Sequence, residues 1–556
     1  MGITRKTDPL ERVYRLQEER SYETDKLKRL LTPIDEDELE NFISLMCSSG
    51  LCEKVKDGVF KFPYVGLVEF RAMNREKFRN PKHDKRIVFV PKFFAIDETV
   101  TSDYNGQDVG CSRDGLTDAQ KIVLSAIFKY RKVKNASLFA SGQISSNEGV
   151  SSRLAVYIAL IIDAMEHGLY LVDRRFLVEN GAGEIDWDTT VLSQTPIWKK
   201  KRPYYVKLWT NGIGYDESHY ITTLHAQLLR SCFTELEGWG LISALGLDLD
   251  EIENSDEFDW SQSEYALDRI FEEMKVQFVT QKQHTLKLMC AVLDNGWNEG
   301  EDAQDLQCFG MTGVHELWER AIKDVLRDEI NKIPDATDAR LESADEVKKT
   351  LLAYIDPPEW RLEGSGRVPA EPLEPDFIAT YRKNEECHFV ILDAKYYRPL
   401  ISGVAPNVGL SGQPGVGDVN KQFLYQLVYK KLIGQNNNSL VHNAFLFPSI
   451  YSEKDQRDQS GLHPQFFATI HVTMFEDLFR DMCSMPKHIS SICIDGVRLF
   501  DYYVKGMVDD TNRSMLKELG ELVIRKDDGE GESLETTGRT PNDTKIDLAN
   551  EEHLGN

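Results

Sequence analysis

Two apolar, β-prone runs joined by a short polar segment constrain the fold of this chain more than any other feature. The runs surround Phe377-Ile378 and His388–Leu392, and Arg382–Glu386 lies between them. Apolar runs on both sides of a short polar turn are typical of a β-hairpin. A two-residue turn at Asn384-Glu385 sets the register of the whole hairpin, because each strand residue then has only one facing partner.

This register predicts that Asp376 faces Asp393. Successive strand residues point to opposite faces, so Lys395 shares a face with both aspartates while Ala394 points away. Two close carboxylates repel each other unless a cation lies between them, and their hard oxygen ligands suit Mg²⁺. A neighbouring lysine can orient or help to deprotonate a metal-bound water. The pattern predicts phosphodiester hydrolysis; the alternative is a surface hairpin with solvated Asp and Lys side chains.

Length, charge and cysteine usage limit the class of protein. The 556 residues suffice for about three or four domains, and a net charge of −25 requires any DNA contact to be local. Neither a membrane-length apolar run nor a secretory segment is found, so we expect a cytoplasmic protein. The nine cysteines form no CxxC pair, and no GxxxxGK[ST] motif occurs. Zinc and disulfides are not indicated, and nucleotide hydrolysis would come from another chain.

The N-terminal region, residues 1–110, is predicted to be a small α+β module. Asp35 is a suitable N-cap for a helix that ends near Ser49-Gly50, and three short β-prone runs follow. The segment 71–86 is basic within an acidic protein and suits phosphate contacts; the alternative is a solvated loop. Its candidate DNA-binding residues are Arg75, Lys77, Arg79, Lys85 and Arg86.

The middle region, residues 111–298, is predicted to be mostly helical with a short β segment. Helical periodicity covers 116–134, 148–168, 216–237 and 262–295. We expect these helices to form a bundle. A second basic cluster, a candidate for contacts with the DNA backbone, consists of Lys199, Lys200, Lys201 and Arg202.

The C-terminal region, residues 299–526, has the element order of an α/β/α sandwich: helix, hairpin, helix, strand, strand and helix. Glu319 lies beside the apolar face of the helix 314–330, where it could reach the metal directly or through water; alternatively it pairs with Lys323. On the helix 418–432, a connected surface of hydrogen-bond donors could hold a phosphate or the attacking water, unless it is an ordinary polar face; its residues are Lys421, Gln422, Tyr425 and Gln426. Residues 527–556 are predicted to be an acidic disordered tail.

Several of these segments together resemble a known nuclease family. Glu319, Pro375-Asp376 and Asp393-Ala394-Lys395 resemble the PD-(D/E)XK nuclease superfamily. The longer pattern is similar to LlaJI-type restriction endonucleases, and its segments are Leu317–Glu319, Asp393–Tyr397, Gly412–Gly415 with Asp418, Lys421–Gln426 and Asn443–Pro448. The Asp-Ala-Lys-Tyr sequence is also similar to that of McrC-type nuclease subunits, which work with a separate NTP-driven ring.

The resemblance implies cleavage of double-stranded DNA in phage defence, directed at unmethylated foreign DNA. Asp376 and Asp393 would be metal ligands, Glu319 an outer metal contact, Lys395 the water-orienting base or charge stabiliser, and Gln422 a support. Two alternatives stay open. The chain could be a non-catalytic DNA-binding or scaffolding subunit, or a nuclease that acts on RNA or on branched DNA. The sequence also leaves open whether the chain forms a homodimer or depends on a separate AAA+ NTPase subunit.

Overall fold

The chain is described from a computed structural model. The residues that the structure describes are 13–71, 83–95, 111–112, 116–134, 153–216, 219–249, 255–297, 306–343, 349–362, 366–404, 407–434, 436, 439–451, 461–478, 485–506 and 509–527. The predicted acidic tail therefore lies outside the described residues except for Asp527.

The strands fall into several small sheets and two five-stranded sheets. They are β1 (Val13–Gln17), β2 (Ser21–Glu23), β3 (Glu53–Lys56), β4 (Val59–Lys61), β5 (Tyr64–Phe70), β6 (Lys85–Val90), β7 (Cys111–Ser112), β8 (Val172–Glu179), β9 (Ile197–Lys199), β10 (Arg202–Tyr204), β11 (Trp209–Asp216), β12 (Leu306–Thr312), β13 (Glu359–Leu362), β14 (Gly366–Pro369), β15 (Phe377–Lys383), β16 (Glu386–Ala394), β17 (Leu400–Val404), β18 (Asn407–Ser411), β19 (Ser439–Pro448), β20 (Gln465–His471) and β21 (His488–Ile494).

The helices are distributed over all regions of the chain. They are α1 (Thr24–Leu30), α2 (Glu36–Ser48), α3 (Asp118–Lys134), α4 (Arg153–His167), α5 (Trp187–Ser193), α6 (Tyr220–Gly238), α7 (Leu241–Leu245), α8 (Ser263–Val276), α9 (Thr280–Trp297), α10 (Val314–Leu326), α11 (Val416–Gly434), α12 (Thr473–Leu478), α13 (Gly496–Lys505) and α14 (Asp509–Asp527). Within the described ranges, no helix is long and apolar enough to cross a bilayer.

The N-terminal module is the predicted α+β unit. Helix α2 begins after Asp35, whose carboxylate forms a capping box with Glu38. This arrangement satisfies two backbone N–H groups that the first helical turn leaves without partners. The three predicted strands are present as β4, β5 and β6. The position of the helix start therefore follows from the local sequence.

The sheet of this module includes a strand from the C-terminal region. Its order is β12-β5-β6-β1-β7, and β12 pairs with β5 from Leu306↔Phe70 to Thr312↔Tyr64. The predicted domain boundary at 298/299 is therefore wrong, because β12 completes the N-terminal sheet before the chain enters the C-terminal core. The boundary at 110/111 also falls short, since β7 pairs with β1.

The middle region packs as helices against the N-terminal sheet. Helices α3, α4 and α6 match the predicted segments 116–134, 148–168 and 216–237. The predicted single helix 262–295 is wrong, because Gln277 is extended and separates α8 from α9. The Gln277 side chain accepts a hydrogen bond from the backbone N–H of Val279, which holds the short connection between the two helices.

Residues 172–216 form a separate structure, which we call the arm. Strands β8 and β11 pair antiparallel over eight positions, and the hairpin β9–β10 and helix α5 lie between them in sequence. Many large apolar side chains of the arm are exposed. They are Phe176, Leu177, Trp187, Val191, Leu192, Ile197, Trp198, Tyr204 and Val206.

The C-terminal core is an α/β/α sandwich, as the element order predicted. Its sheet has the order β15-β16-β19-β21-β20, with β16, β19 and β21 parallel to one another. Phe377 and Leu392 face one apolar core, whereas Ile378 and Ile391 face the other. This period of two buries both faces of the sheet and fixes the direction in which each polar side chain at the strand ends points.

Helix α10 ends earlier than the predicted segment 314–330. Arg327 has a φ of 63°, and the Asp328 side chain accepts hydrogen bonds from the backbone N–H of Ile330 and of Ile378. The chain thus leaves the helix to hold the first residues of β15. Ile378 lies two residues after Asp376, so its hydrogen bond to Asp328 also holds the start of the hairpin that carries Asp376.

The contact between β5 and β12 is so close that it requires glycine at two facing positions. A Cβ atom on Gly310 would clash with the Val65 carbonyl oxygen and the Tyr64 hydroxyl. We predict that Gly310→Ala lowers the free energy of unfolding by about 1–3 kcal/mol, the usual cost of overpacking. Urea denaturation followed by circular dichroism measures this change.

Gly238→Ala is the matched control, since a Cβ there has no atom within 4 Å. This helical substitution should leave stability unchanged or raise it by up to about 1 kcal/mol. Equal midpoints for Gly310→Ala and the control would contradict the close pairing of β5 with β12.

Candidate active site

The hairpin β15–β16 has the predicted register. Its pairs run from Phe377↔Leu392 to Lys383↔Glu386, and the two turn residues, Asn384 and Glu385, have φ values of 50° and 69°. A turn with both central residues in the left-handed region matches the twist of the strands that it joins. At the open end of the hairpin, one residue beyond the pair Phe377↔Leu392, Asp376 and Asp393 lie opposite each other.

The two aspartates form a close carboxylate pair. The Asp376 Oδ2 atom accepts a hydrogen bond from the Ala394 N–H at 2.9 Å, which holds Asp376 against the end of β16. Asp393 is buried, with 8 % of its surface exposed. Burial and the adjacent Asp376 carboxylate raise the pKa of Asp393 to about 8, although the Lys395 ammonium group acts in the opposite direction. Without a metal ion, the pair therefore retains a proton at neutral pH.

Lys395 bridges two carboxylates on the same face. Its Nζ atom lies 2.9 Å from Asp393 Oδ2 and 3.2 Å from Asp418 Oδ1. Burial alone would lower the pKa of Lys395, but the charges of Asp393 and Asp418 outweigh it and raise the pKa. Asp418 thus gives Lys395 a second carboxylate partner beside Asp393.

Asp418 is a site residue that the predicted catalytic set did not include. It lies in the first turn of α11, and α11 packs on β16 and β19. The sequence signal was its position three residues after Gly415, within a segment that resembles the LlaJI-type pattern. Only the fold shows that this carboxylate reaches Lys395.

Glu319 lies at the edge of the carboxylate pair. It is half-buried on α10, directly after the buried Leu317 and Trp318. Burial raises the pKa of Glu319, and the negative charge of Asp376 adds to this effect, whereas Lys323 and Lys395 oppose it. Glu319 therefore interacts electrostatically with both Asp376 and Lys395. The predicted alternative partner, Lys323, contributes to the same electrostatic balance.

Gln422 is in the interior rather than on a polar helix face. It has no exposed surface, and neither atom of its side-chain amide has a hydrogen-bond partner among the described residues. The neighbouring Gln426 accepts a hydrogen bond from Asn443 Nδ2 at 3.0 Å, and that nitrogen also donates to the Gln422 carbonyl. The predicted surface of donors on α11 is therefore wrong, and of the two residues Lys421 and Gln422 only Lys421 is exposed.

These side chains fit a divalent cation. Asp376 and Asp393 offer adjacent carboxylate oxygens, and burial, together with the neighbouring Asp376 carboxylate, raises the pKa of Asp393 in spite of Lys395. The ligand atoms of Asp376, Asp393 and Glu319 do not gather within 4.8 Å of one another, so the three carboxylates do not form one compact ligand set. Among the described residues, Asp35, Glu38 and His83 do gather this closely, but their carboxylates serve the α2 cap and the Glu38–His83 ion pair.

The predicted DNA-binding residues near β6 divide into two groups. Arg75, Lys77 and Arg79 lie outside the described residues. Lys85 is 1 % exposed, with its Nζ atom 5.3 Å from the centre of the Tyr14 ring. Lys85 is therefore removed from the candidate DNA contacts, because a buried side chain cannot reach a phosphate.

Arg86 also has a structural role. Its guanidinium group lies 4.4 Å from the centre of the Trp239 ring, and Nη1 donates a hydrogen bond to the Gly238 carbonyl. These contacts tie β6 to the end of α6. Lys85 and Arg86, the two candidate DNA-binding residues of this segment that the structure describes, thus belong to strand β6 and not to a loop.

The second basic cluster lies at an exposed position. Lys199 and Arg202 are paired at the end of the hairpin β9–β10, and Lys200 and Lys201 form its turn, with φ values of 51° and 66°. All four residues are exposed. The hairpin also exposes Trp198 and Tyr204, so the arm presents aromatic and basic side chains together. This is a surface that a charged partner can reach.

The fold and the site define an α/β protein with a carboxylate–lysine centre at the open end of the hairpin β15–β16, at one edge of the C-terminal sheet. Residues 108–475 match the LlaJI restriction endonuclease family, and the chain belongs to this family. A curated relative is the type II restriction enzyme BsuMI component YdjA of Bacillus subtilis (strain 168), 30% identical over 274 residues. That match covers 49% of this chain and 52% of the relative, so the chain spans about half of its length.

Two solved structures are similar to this chain at low identity. One is the refined half-complex from the tetradecameric assembly of Thermococcus gammatolerans McrB AAA+ hexamers with bound McrC, with a TM-score of 0.34, 10% identity and coverage of 92% of this chain and 100% of the other. The second is the cryo-EM structure of the Thermococcus gammatolerans McrBC complex, with a TM-score of 0.23, 9% identity and coverage of 56% and 87%.

The raised pKa of Asp393 makes a prediction about stability. In the folded protein the Asp393 carboxyl group is protonated below about pH 8, while in the unfolded chain it loses its proton near the ordinary aspartate pKa of 3.8. The folded state thus binds the extra proton between these values, and this contribution to stability is lost as the pH rises towards 8. In EDTA, Asp393→Asn should therefore gain about 2–4 kcal/mol relative to wild type between pH 5 and pH 8.5.

Chemical denaturation at both pH values measures this difference. Asp188→Asn changes an exposed aspartate of the arm and is the matched control, for which no relative gain is expected. A constant difference between Asp393→Asn and wild type across the pH range would contradict the shared proton.

Proposed function

We propose that this chain is a Mg²⁺-dependent DNA endonuclease of a restriction system, with the PD-(D/E)XK type of active site. The observation that carries the proposal is the convergence of Asp376, Asp393 and Lys395 at the open end of the hairpin β15–β16. Membership of the LlaJI restriction endonuclease family supports it. The substrate that we propose is unmodified foreign double-stranded DNA, cut at or near a specific site.

Asp376 and Asp393 would hold the metal ion, and Glu319 would bind it through water. When bound, the ion supplies positive charge to the phosphoryl oxygens and favours ionisation of an attacking water. The chain's own task is to hold these carboxylates together in a site where burial strengthens their interactions. The backbone N–H of Ala394 does this for Asp376, as it leaves the carboxylate only a limited range of orientations.

Lys395 is better suited to stabilise charge than to act as a general base. A general base must be neutral before it accepts a proton, and the raised pKa of Lys395 opposes that state at neutral pH. Its ammonium group, held between Asp393 and Asp418, can orient a water molecule or bind a phosphoryl oxygen. Of the two roles predicted for Lys395, we therefore propose that of charge stabiliser.

DNA contacts are proposed at two places. Lys421 is exposed one turn after Asp418 on α11, so it can bind the phosphate backbone beside the site. Lys199, Lys200, Lys201 and Arg202 can bind a phosphate at the tip of the arm. Arg75, Lys77 and Arg79 remain predictions from the sequence. Base recognition is not assigned to any of these residues, because phosphate contacts carry no sequence information.

A separate AAA+ NTPase subunit is the partner that we propose. The chain has no GxxxxGK[ST] motif, so NTP hydrolysis would need a second protein. The Bacillus subtilis relative is called a component, which is the name of one part of a larger enzyme.

Cleavage assays with site variants test the proposed activity. The purified chain is incubated with Mg²⁺ and unmethylated plasmid, with and without a candidate NTPase subunit and its nucleotide. We expect cleavage by wild type and a loss of about 10²-fold or more in Asp376→Ala and Lys395→Ala, because each removes an electrostatic contact in the transition state. Sequencing the DNA ends locates the cuts.

Lys505→Ala is the matched control, since Lys505 is an exposed lysine that pairs with Asp501 on α13. It should cleave like wild type. Methylated plasmid should be spared. If wild type and Asp376→Ala gave the same DNA ends in the same amounts, the chain would instead be a non-catalytic DNA-binding or scaffolding subunit.

A further inference from the structure

Tyr396 connects the catalytic hairpin to the N-terminal module. It directly follows Lys395, and the alternation of strand residues turns its side chain away from the carboxylates and into the opposite core. Tyr396 is 4 % exposed, and its hydroxyl group donates a hydrogen bond to Glu18 Oε2 at 2.6 Å. The partner lies 378 positions earlier in the chain. The residue next to the catalytic lysine is thus held by another part of the molecule.

Glu18 is itself fixed by the N-terminal sheet. It directly follows β1, and its N–H donates to the Val90 carbonyl at 2.9 Å. Its Oε2 atom also accepts a hydrogen bond from the Lys92 N–H at 3.1 Å. Gln17 anchors the same segment through hydrogen bonds from Nε2 to the carbonyls of Lys92 and Phe94. The carboxylate that receives the Tyr396 hydroxyl therefore has a defined position.

The same tyrosine also contacts the element that carries Glu319. Its ring centre lies 6.3 Å from that of Trp318, the residue before Glu319, and 6.2 Å from that of Phe93. Lys92 places its Nζ atom 4.3 Å from the Tyr396 ring centre. One buried ring thus lies behind both the end of β16 and the helix α10. A displacement of this ring would move Lys395 and Glu319 together.

The hydrogen bond between Glu18 and Tyr396 requires the burial of a carboxyl group, which is energetically unfavourable. Burial raises the pKa of Glu18, and the hydrogen bonds from Tyr396 and Lys92 only partly offset this effect. An apolar side chain at position 18 would fill the same space without this desolvation, but it would not fix the orientation of the Tyr396 side chain. A hydrogen bond of 2.6 Å permits one arrangement of the hydroxyl group.

We propose that Glu18 and Tyr396 form a positioning pair, by which the N-terminal module sets the place of Lys395 between Asp393 and Asp418. The pair does not touch the reacting atoms and acts through the backbone of residues 395–396. The catalytic importance of the pair rests on the proposed nuclease function. Its effect on the position of Lys395 does not, so the two can be measured separately.

Acetylation of the Lys395 amine measures this position without any nuclease assay. The metal-free protein is treated with a low concentration of acetic anhydride, and labelling is quantified by mass spectrometry. In Tyr396→Phe and Glu18→Leu, Lys395 should be held less firmly between Asp393 and Asp418, so its amine should be reached more often by the reagent. We expect labelling of Lys395 to be at least about threefold faster than in wild type.

Two variants control for simple loss of stability. Tyr429→Phe removes another buried hydroxyl group of the same domain, which donates to the Leu351 carbonyl at 2.9 Å. Glu18→Gln keeps an oxygen that can accept from both Tyr396 and Lys92. Both variants should label Lys395 within about twofold of wild type. Equal labelling of Tyr396→Phe and Tyr429→Phe would overturn the proposal.

Single-turnover cleavage of DNA completes the test. Tyr396→Phe and Glu18→Leu should each cut about tenfold more slowly or worse, since small misplacements of catalytic groups are costly, with DNA affinity unchanged. The double variant should be no slower than the slower single variant, because both changes break one contact. Additive losses would contradict the pair.

The two proposals fail in different ways. If wild type cuts no DNA but the labelling pattern holds, the nuclease function fails and the positioning pair stands. If Asp376→Ala abolishes cleavage but Glu18→Leu changes neither the labelling of Lys395 nor the rate of cleavage, the positioning pair fails and the nuclease function stands.

Discussion

Two carboxylates that face each other across neighbouring strands are the constraint on which the rest of this structure depends. Asp376 and Asp393 meet because Asn384 and Glu385 close the hairpin with left-handed backbone angles. Their repulsion in a buried place must be relieved, and the chain does so with a retained proton and with Lys395. A divalent cation would replace the proton. The burial that raises the pKa of Asp393 is therefore also what prepares the pair for a metal.

The fold supports this site from both faces of the central sheet. On one face α11 brings Asp418 to Lys395, and on the other Tyr396 packs against Trp318 and reaches Glu18. Strand β12 joins the two parts of the molecule, because it completes the N-terminal sheet immediately before α10. The regions that appear as separate domains along the sequence therefore share both a sheet and an apolar core.

Much of the hairpin could be predicted because its information is local. Strand alternation and a short polar turn determine the register, and the α/β/α core follows from element order. Contacts between distant segments could not be predicted: the Glu18–Tyr396 hydrogen bond joins residues 378 positions apart, and β12 pairs across an apparent boundary. Lys85 was predicted to lie in a loop because a count of charged residues does not show which of them are buried. Gln422 shares a helix with the exposed Lys421, and only the packing separates their environments.

A crystal soaked in Mn²⁺ tests the central claim most directly. The account predicts an anomalous scattering peak between the carboxylates of Asp376 and Asp393, at about 2.0–2.4 Å from an oxygen of each. The peak should be absent in Asp393→Asn. Contradicting results would be two aspartate side chains that splay apart without a peak, or manganese bound instead at Asp35, Glu38 and His83 alone.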